Sequence, residues 1–282
     1  MKRKLLLIVL LAFVLGGCNW MAFGYKWADR LILFKVDRYF DLTDTQETAL
    51  KAQIETTLTW HRTTQLPLYI DFVTQVEEAV KPSPNPSLTS AKLAAIFSRW
   101  GELREALLTK LAAPSAAFLA STTADQRDLF RAKLGQENQG LLEELKQSEA
   151  KRRSERKKWL KETIEDWAGR LNRKQVETLK AFTAEIPLQD EQWLTSRLGR
   201  QDYFFRRLNR GPEATLPEFL VDLWVVSYRP QNTPVGERQR EIRARYQQLL
   251  LDLYNLMSPE QVQELLKRLG DLKETLADLA EG

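Results

Sequence analysis

One helix-start signature occurs four times in this chain, and it limits the possible folds more than any other feature. Thr43-Asp44-Thr45-Gln46, Thr123-Ala124-Asp125-Gln126, Asn172-Arg173-Lys174-Gln175 and Ser258-Pro259-Glu260-Gln261 each place a short polar residue three positions before glutamine. At that spacing the first side chain accepts from the N3 amide and the glutamine reaches back to the cap amide. Two of the donors orphaned at a helix N-terminus are thereby satisfied. Pro259 falls at the first helical position, where its missing N–H costs nothing. Leu171 and Met257 precede two of the boxes, with Val176 and Val262 at N4, the arrangement of a hydrophobic staple.

The hydrophobic pattern between these starts is helical throughout. No segment sustains a two-residue alternation. The spacing predicts helices over 27–40, 43–64 and, after an interruption at Pro67, to Val80. Further helices are expected over 89–111, briefly around Ala116, and over 172–185, 188–208, 216–228, 236–256 and 259–279. The steps Phe130, Leu134, Leu141, Leu145 and then Leu160, Ile164, Trp167, Leu171 predict one very long helix from about 125 to 167. Lys81-Pro82-Ser83-Pro84-Asn85-Pro86-Ser87 cannot be helix and reads as an extended connection. The expected fold is all-α: an irregular antiparallel bundle with one long central helix, forming a single domain over 27–282.

The N-terminus carries a different signal. Met1-Lys2-Arg3-Lys4 is basic, Leu5 to Leu15 is uninterrupted apolar sequence, and Gly16-Gly17-Cys18 follows. These are the parts of a secretory leader, and the apolar run is shorter than the roughly 20 residues that span a bilayer. Leu15-Gly16-Gly17-Cys18 resembles the lipobox of bacterial lipoproteins. The resemblance implies a signal peptide over 1–17, lipidation of Cys18 (thioether diacylglycerol and an amide-linked acyl chain such as palmitate), and a tether over 18–26. Cys18 is the sole cysteine, so lipidation also disposes of an unpaired thiol. In the sorting rule of Gram-negative lipoproteins, Asn19 rather than aspartate implies the outer membrane, with the body facing the periplasm.

Charge narrows the partners. The chain has 42 Lys and Arg against 38 Asp and Glu. Without Lys2, Arg3 and Lys4 the balance is 39 against 38, so a mature protein is nearly neutral and a nucleic-acid-binding role loses its support. With no possible disulfide, stability must come from packing, for which 43% apolar residues suffice.

Leu42-Thr43-Asp44-Thr45-Gln46 also matches the LTxxQ motif of the Spy and CpxP proteins, periplasmic stress chaperones and adaptors. Over most of its length the chain is more similar to an uncharacterised family of proteobacterial lipoproteins. The lipobox, Tyr39-Phe40-Asp41-Leu42-Thr43-x-x-Gln46, Trp60-His61-Arg62 and Leu66-Pro67-x-Tyr69 carry that resemblance. It implies localisation and an all-α fold, and brings no activity.

Chemistry-bearing groups are sparse. His61 is the single histidine, and no metal-ligand spacing, nucleophile elbow or phosphate loop occurs. No metal, cofactor or catalytic residue is expected. Asp37, Asp41 and Asp44 cluster near one helix entrance, where they suit the helix dipole better than glycan chemistry. Lys151, Arg152, Arg153, Arg156, Lys157 and Lys158 form a basic run that could bind an anionic envelope polymer, phospholipid or acidic protein. The alternative is a solvated face with i,i+4 pairs such as Glu149–Arg153. A second set, Arg197, Arg200, Arg206, Arg207 and Arg210, is interleaved with Tyr203, Phe204 and Phe205, which read as core. Trp20, Phe23, Tyr25 and Trp27 either rest on a membrane interface or start the core. The expected function is a non-enzymatic, lipid-anchored binding or scaffold module. A chaperone of LTxxQ type and a carboxylate-dependent enzyme on peptidoglycan or lipid stand as alternatives.

Overall fold

A computed structural model describes residues 24–82, 88–210, 213–229 and 232–281. The leader, Cys18, Asn19, Trp20, Phe23 and most of the proline-rich connection lie outside the described residues. Eleven α-helices and no strand occur among those described, so the fold is all-α. They are α1 (Ala28–Phe40), α2 (Asp44–Trp60), α3 (Leu66–Val80), α4 (Ser90–Ala120), α5 (Ala124–Leu145), α6 (Glu149–Ala168), α7 (Arg173–Glu185), α8 (Asp190–Arg210), α9 (Leu216–Trp224), α10 (Pro234–Asn255) and α11 (Pro259–Glu281).

The four glutamine boxes open α2, α5, α7 and α11, and their glutamines pair across the fold. Gln46 Nε2 donates to Gln126 Oε1 at 3.0 Å, and Gln126 Nε2 donates back to Gln46 Oε1 at 2.7 Å. Each also donates to the carbonyl two residues before the other's cap: Gln46 to Ser121 O at 2.9 Å, Gln126 to Asp41 O at 3.0 Å. Each Oε1 additionally accepts its own cap amide, from Thr43 at 3.1 Å and Thr123 at 3.0 Å. Two buried primary amides therefore use all their donors and acceptors on one another and on four backbone groups.

The second pair repeats the design. Gln261 Nε2 donates to Gln175 Oε1 at 3.0 Å and to Arg170 O at 2.9 Å. Gln175 Nε2 reaches Leu253 O at 3.2 Å, while the cap residue Asn172 takes Leu256 O at 2.9 Å. Gln175 is 0% exposed.

This pairing exposes an internal two-fold resemblance. Helices α1, α2, α3, α4 and α5 correspond in order to α6, α7, α8, α10 and α11, with α9 as an addition packed on α4. The neighbours match: α1 packs on α2 and α5 as α6 packs on α7 and α11, and α2 meets α4 as α7 meets α10. Helices α4 and α10 pack on each other across the pseudo-axis.

The halves also exchange contacts. Helix α3 lies against α11 of the other half, and α8 lies against α5. Each crossing carries an ion pair, Glu77–Lys273 in the first and Arg197–Glu137 (3.0 Å) in the second. The apolar core follows the same division. One cluster, around Phe40, Ala116, Leu208 and Phe219, joins α1, α4, α8 and α9. Another, around Tyr25, Leu66, Val73, Leu269 and Leu276, joins the chain entry, α3 and α11.

Three expected boundaries differ, each for a local reason. The predicted long helix over 125–167 is two helices, α5 and α6. The chain turns at Gln147, and Ser148 caps α6 by accepting from Lys151 N at 3.3 Å. The longest helix is instead α4, which runs through Pro114 and merges the segments expected at 89–111 and Ala116. Pro67 does not interrupt the second helix either. Proline cannot donate to the carbonyl four residues back, and its ring crowds that carbonyl. The chain widens into a π-turn over His61–Gln65, with Leu66 N–H bonded to His61 O, and continues as α3.

Glutamine, and not merely a capping acceptor, should be required at these sites. Gln175→Glu keeps an acceptor for the Asn172 amide but loses the donor to Leu253 O and buries a carboxylate. We expect a loss of about 3 kcal/mol or more in urea unfolding at pH 7.5, smaller at pH 5 where the acid can protonate and donate. A loss below about 0.5 kcal/mol at both pH values would show that the pairing contributes nothing.

Candidate functional site

The π-turn places the chemically distinctive residues beside the point where the chain enters the body. Such widened turns are enriched at functional positions. Here the turn presents His61 to Tyr25, whose ring is 3% exposed. The Tyr25 hydroxyl and His61 Nδ1 share a hydrogen bond of 2.9 Å. Tyr69 and Trp60 pack edge-on against the imidazole at centroid distances of 5.7 and 6.5 Å, and Trp100 stacks beyond Tyr69 and Phe72. Gln65, at the end of the turn, is buried, and its Oε1 has no hydrogen-bond partner among the described residues.

This environment favours neutral groups. Burial, reinforced by the neighbouring Arg62 guanidinium, lowers the His61 pKa to about 4. Burial also pushes the Tyr25 phenol up, with Arg62 partly opposing it. His61 is therefore uncharged at neutral pH, and its hydrogen bond to Tyr25 holds the chain entry to α2 and α3.

The acidic cluster of Asp37, Asp41 and Asp44 lies elsewhere, at the α1–α2 turn. Asp37 Oδ1 accepts from Leu42 N at 3.0 Å in the α1–α2 turn, and Asp41 ends α1 in the left-handed region at φ 54°. Tyr25 and Asp37 are separated by most of α1, roughly 18 Å at the helical rise. His61 and the acidic cluster thus do not share a site. Among the described residues, no group of three or more His, Cys, Asp or Glu side chains could hold a metal ion.

The basic run on α6 divides into two sets. Arg152, Arg153 and Arg156 are half-buried and engaged internally. Arg153 donates to Thr183 O and Ile186 O, both at 2.9 Å, and pairs with Glu149 at 2.8 Å, the i,i+4 pair expected from sequence. Arg156 donates to Pro187 O at 3.2 Å. Both Arg152 and Arg156 flank Asp190, at 3.6 and 3.4 Å. Arg153 and Arg156 thus bind carbonyls at and just after the C-terminal end of α7, where helix carbonyls lack intrahelical partners, while Arg152 pairs with the start of α8. Lys151, Lys157 and Lys158 remain exposed, with Lys158 near Glu162 at 3.7 Å. The six residues therefore do not form one anion-binding surface; three of them are structural.

Three of the second arginine set have partners within the fold. Arg197 holds Glu137 and Asn138, Arg206 pairs with Asp202 at 3.1 Å, and Arg207 sits 5.5 Å from the Phe219 ring centroid. Phe205 is core and Phe204 packs beside it, as expected, whereas Tyr203 is half exposed. Two open grooves flank these elements. One of about 550 Å³ lies between α2 and α4, and Lys110 is the sole ionisable group in its lining. The other, about 380 Å³, is bordered by Arg200, Tyr203 and Asp222.

Of the N-terminal aromatic residues, Tyr25 and Trp27 fall within the described residues and part company. Tyr25 belongs to the core, but Trp27 begins an outward face of α1 that continues through Leu31 and Phe34, 54% and 66% exposed. The 27, 31, 34 spacing was available in the sequence. That spacing marks a helix but not which side faces inward; Val36 and Phe40, later on α1, are its inward residues.

His61 should make stability pH-dependent. Its folded pKa lies below the ordinary value of 6.5, so between pH 6.5 and about 4 the unfolded chain binds a proton that the folded one excludes. Stability is then lost as pH falls through this window. Thermal unfolding of His61→Phe should fall less steeply between pH 7 and 4.5 than that of the parent chain. Parallel profiles would contradict a buried neutral imidazole.

No curated protein matches this chain, nor does any solved structure. The model of a family of unknown function, DUF6279, matches residues 38–229. That span runs from the end of α1 through α9 and holds three of the four glutamine boxes. With about two thirds of its length matched, the chain belongs to the DUF6279 family.

Proposed function

We propose that the chain is a lipid-anchored, non-enzymatic scaffold or binding module of the bacterial envelope. The observation that carries this reading is the lipobox Leu15-Gly16-Gly17-Cys18, seven residues before Tyr25, where a tightly interlocked helical body begins. The body's reactive side chains serve its own architecture: His61 binds Tyr25, and Arg153 binds helix-end carbonyls. No helix among the described residues is long and apolar enough to cross a membrane, so attachment in this reading rests on Cys18. Asn19 favours the outer membrane and a periplasmic body. The partner is an envelope protein or an anionic envelope polymer.

The other two readings gain less. The LTxxQ glutamine, Gln46, is used inside the fold, so that motif supports architecture and not chaperone activity. An enzyme built on His61, Asp37 and Asp41 would need groups that lie at opposite ends of α1.

Growth with an alkyne-bearing fatty acid, followed by intact mass measurement, tests the anchoring. The expected result is a mature chain beginning at Cys18 with two or three acyl chains, and loss of label in Cys18→Ala. A leader-bearing, unlabelled chain in the cytoplasm would end the proposal.

A further inference from the structure

The outward face of α1 is built for a lipid surface. Among the described residues, most exposed large apolar side chains are scattered singly over α5, α7, α8 and α10, as is ordinary for a protein surface. On α1, in contrast, Leu31, Ile32 and Phe34 fall within four residues. Trp27, Leu31, Phe34 and Arg38 step by four, three and four and so share one side of the helix. The opposite side, with Val36 and Phe40, is buried against α4, α8 and α9.

The charges around this face are selective. Lys26, Arg30 and Arg38 are exposed near it, Arg30 lying 4.4 Å over the Trp27 ring, and half-exposed Lys35 lies beside Tyr39. Of the two acidic residues in the helix, Asp37 is occupied by the amide of Leu42. An apolar strip of Trp, Leu and Phe bordered by Arg and Lys is the composition of a helix lying in a headgroup layer with anionic lipid.

The tether determines what this face can meet. Cys18 and Tyr25 are seven residues apart, so the fully extended chain spans at most roughly 25 Å. Tyr25 is fixed to His61, and α1 starts three residues later. We infer that α1 docks its Trp27–Leu31–Phe34 face into the headgroup region of the membrane that holds the acyl chains, and thereby sets the orientation of the whole body. This rests on the lipoprotein reading above and adds a second, non-covalent membrane contact to it.

The test uses the acylated full chain, in which the Cys18 thiol is blocked, carrying a single added cysteine at Leu31→Cys, Phe34→Cys or the exposed control Val176→Cys. A polarity-sensitive dye on each is read in vesicles of phosphatidylethanolamine with about one quarter phosphatidylglycerol and a spin-labelled lipid. Dyes at 31 and 34 should be quenched by the lipid about threefold or more over 176, and shielded from aqueous iodide. The double change Leu31→Glu, Phe34→Glu should lower vesicle retention of an unacylated Cys18→Ser chain about tenfold without altering its helical circular dichroism. Iodide accessibility at 34 equal to that at 176 overturns the inference. So does shielding without lipid quenching, which would mean that protein covers the face. Intact mass of the same sample separates the two readings. Acylated chain without quenching refutes the docked face alone, and unacylated chain refutes the anchor while the vesicle measurement still judges the face.

Discussion

The architecture depends on buried glutamine amides that cap one helix and bind another. A helix N-terminus leaves amides unsatisfied, and burying one against a second helix end normally leaves polar groups without water. Here each glutamine Oε1 accepts the amide of its own cap, and each Nε2 donates to a carbonyl at the partner hairpin, as Gln46 does to Ser121 and Gln261 to Arg170. Two hairpin turns can thus meet in the interior with their amides bonded to one another and to backbone groups. This happens once in each half, between Gln46 and Gln126 and between Gln175 and Gln261. The halves then interlock because α3 and α8 each pack on a helix of the other half. Neither half retains its full core alone, since Leu66 and Val73 share a cluster with Leu269 and Leu276.

Much of this was legible in the sequence. The caps were identifiable because the geometry of a capping box is local and fixed by three-residue spacing. Their pairing was not, because it joins positions about 80 residues apart, and nothing local selects one partner among three. One signal was present: all four boxes use glutamine and none uses glutamate, although glutamate would cap equally well. Only the amide offers the donor that a buried partner needs. The cap at Ser148 is hard to see in the sequence because it lies in the polar stretch 146–158 between two apolar stripes, where nothing apolar marks a change of helix. The basic run was identified correctly as charged, but charge alone does not say whether an arginine faces solvent or a helix end. Arg153 and Arg156 face the end of α7, and Arg152 faces the start of α8.

The same reasoning separates architecture from surface around the chain entry. His61 stands out as the single histidine, yet a tyrosine hydroxyl and aromatic rings enclose it in a site that disfavours its charged form. Its role follows from the π-turn that Pro67 imposes, which turns it toward Tyr25 and fixes the start of α1. On the outer side of that helix Leu31 and Phe34 are more than half exposed, and they lie within a short chain length of the lipobox. A fixed entry point and an exposed apolar strip beside it are consistent with a body held in one orientation on a membrane.

Amide hydrogen exchange tests the central claim most directly. The amides at the start of helices ordinarily exchange by local fraying, well before the helix middle. In this protein the cap amides of Thr43, Thr123, Asn172 and Ser258 are bound by buried glutamine oxygens. The account predicts that all four exchange as slowly as amides near Leu179 and Leu253, and only through global unfolding. Fast, independent exchange at these four positions, with a protected core, would contradict it.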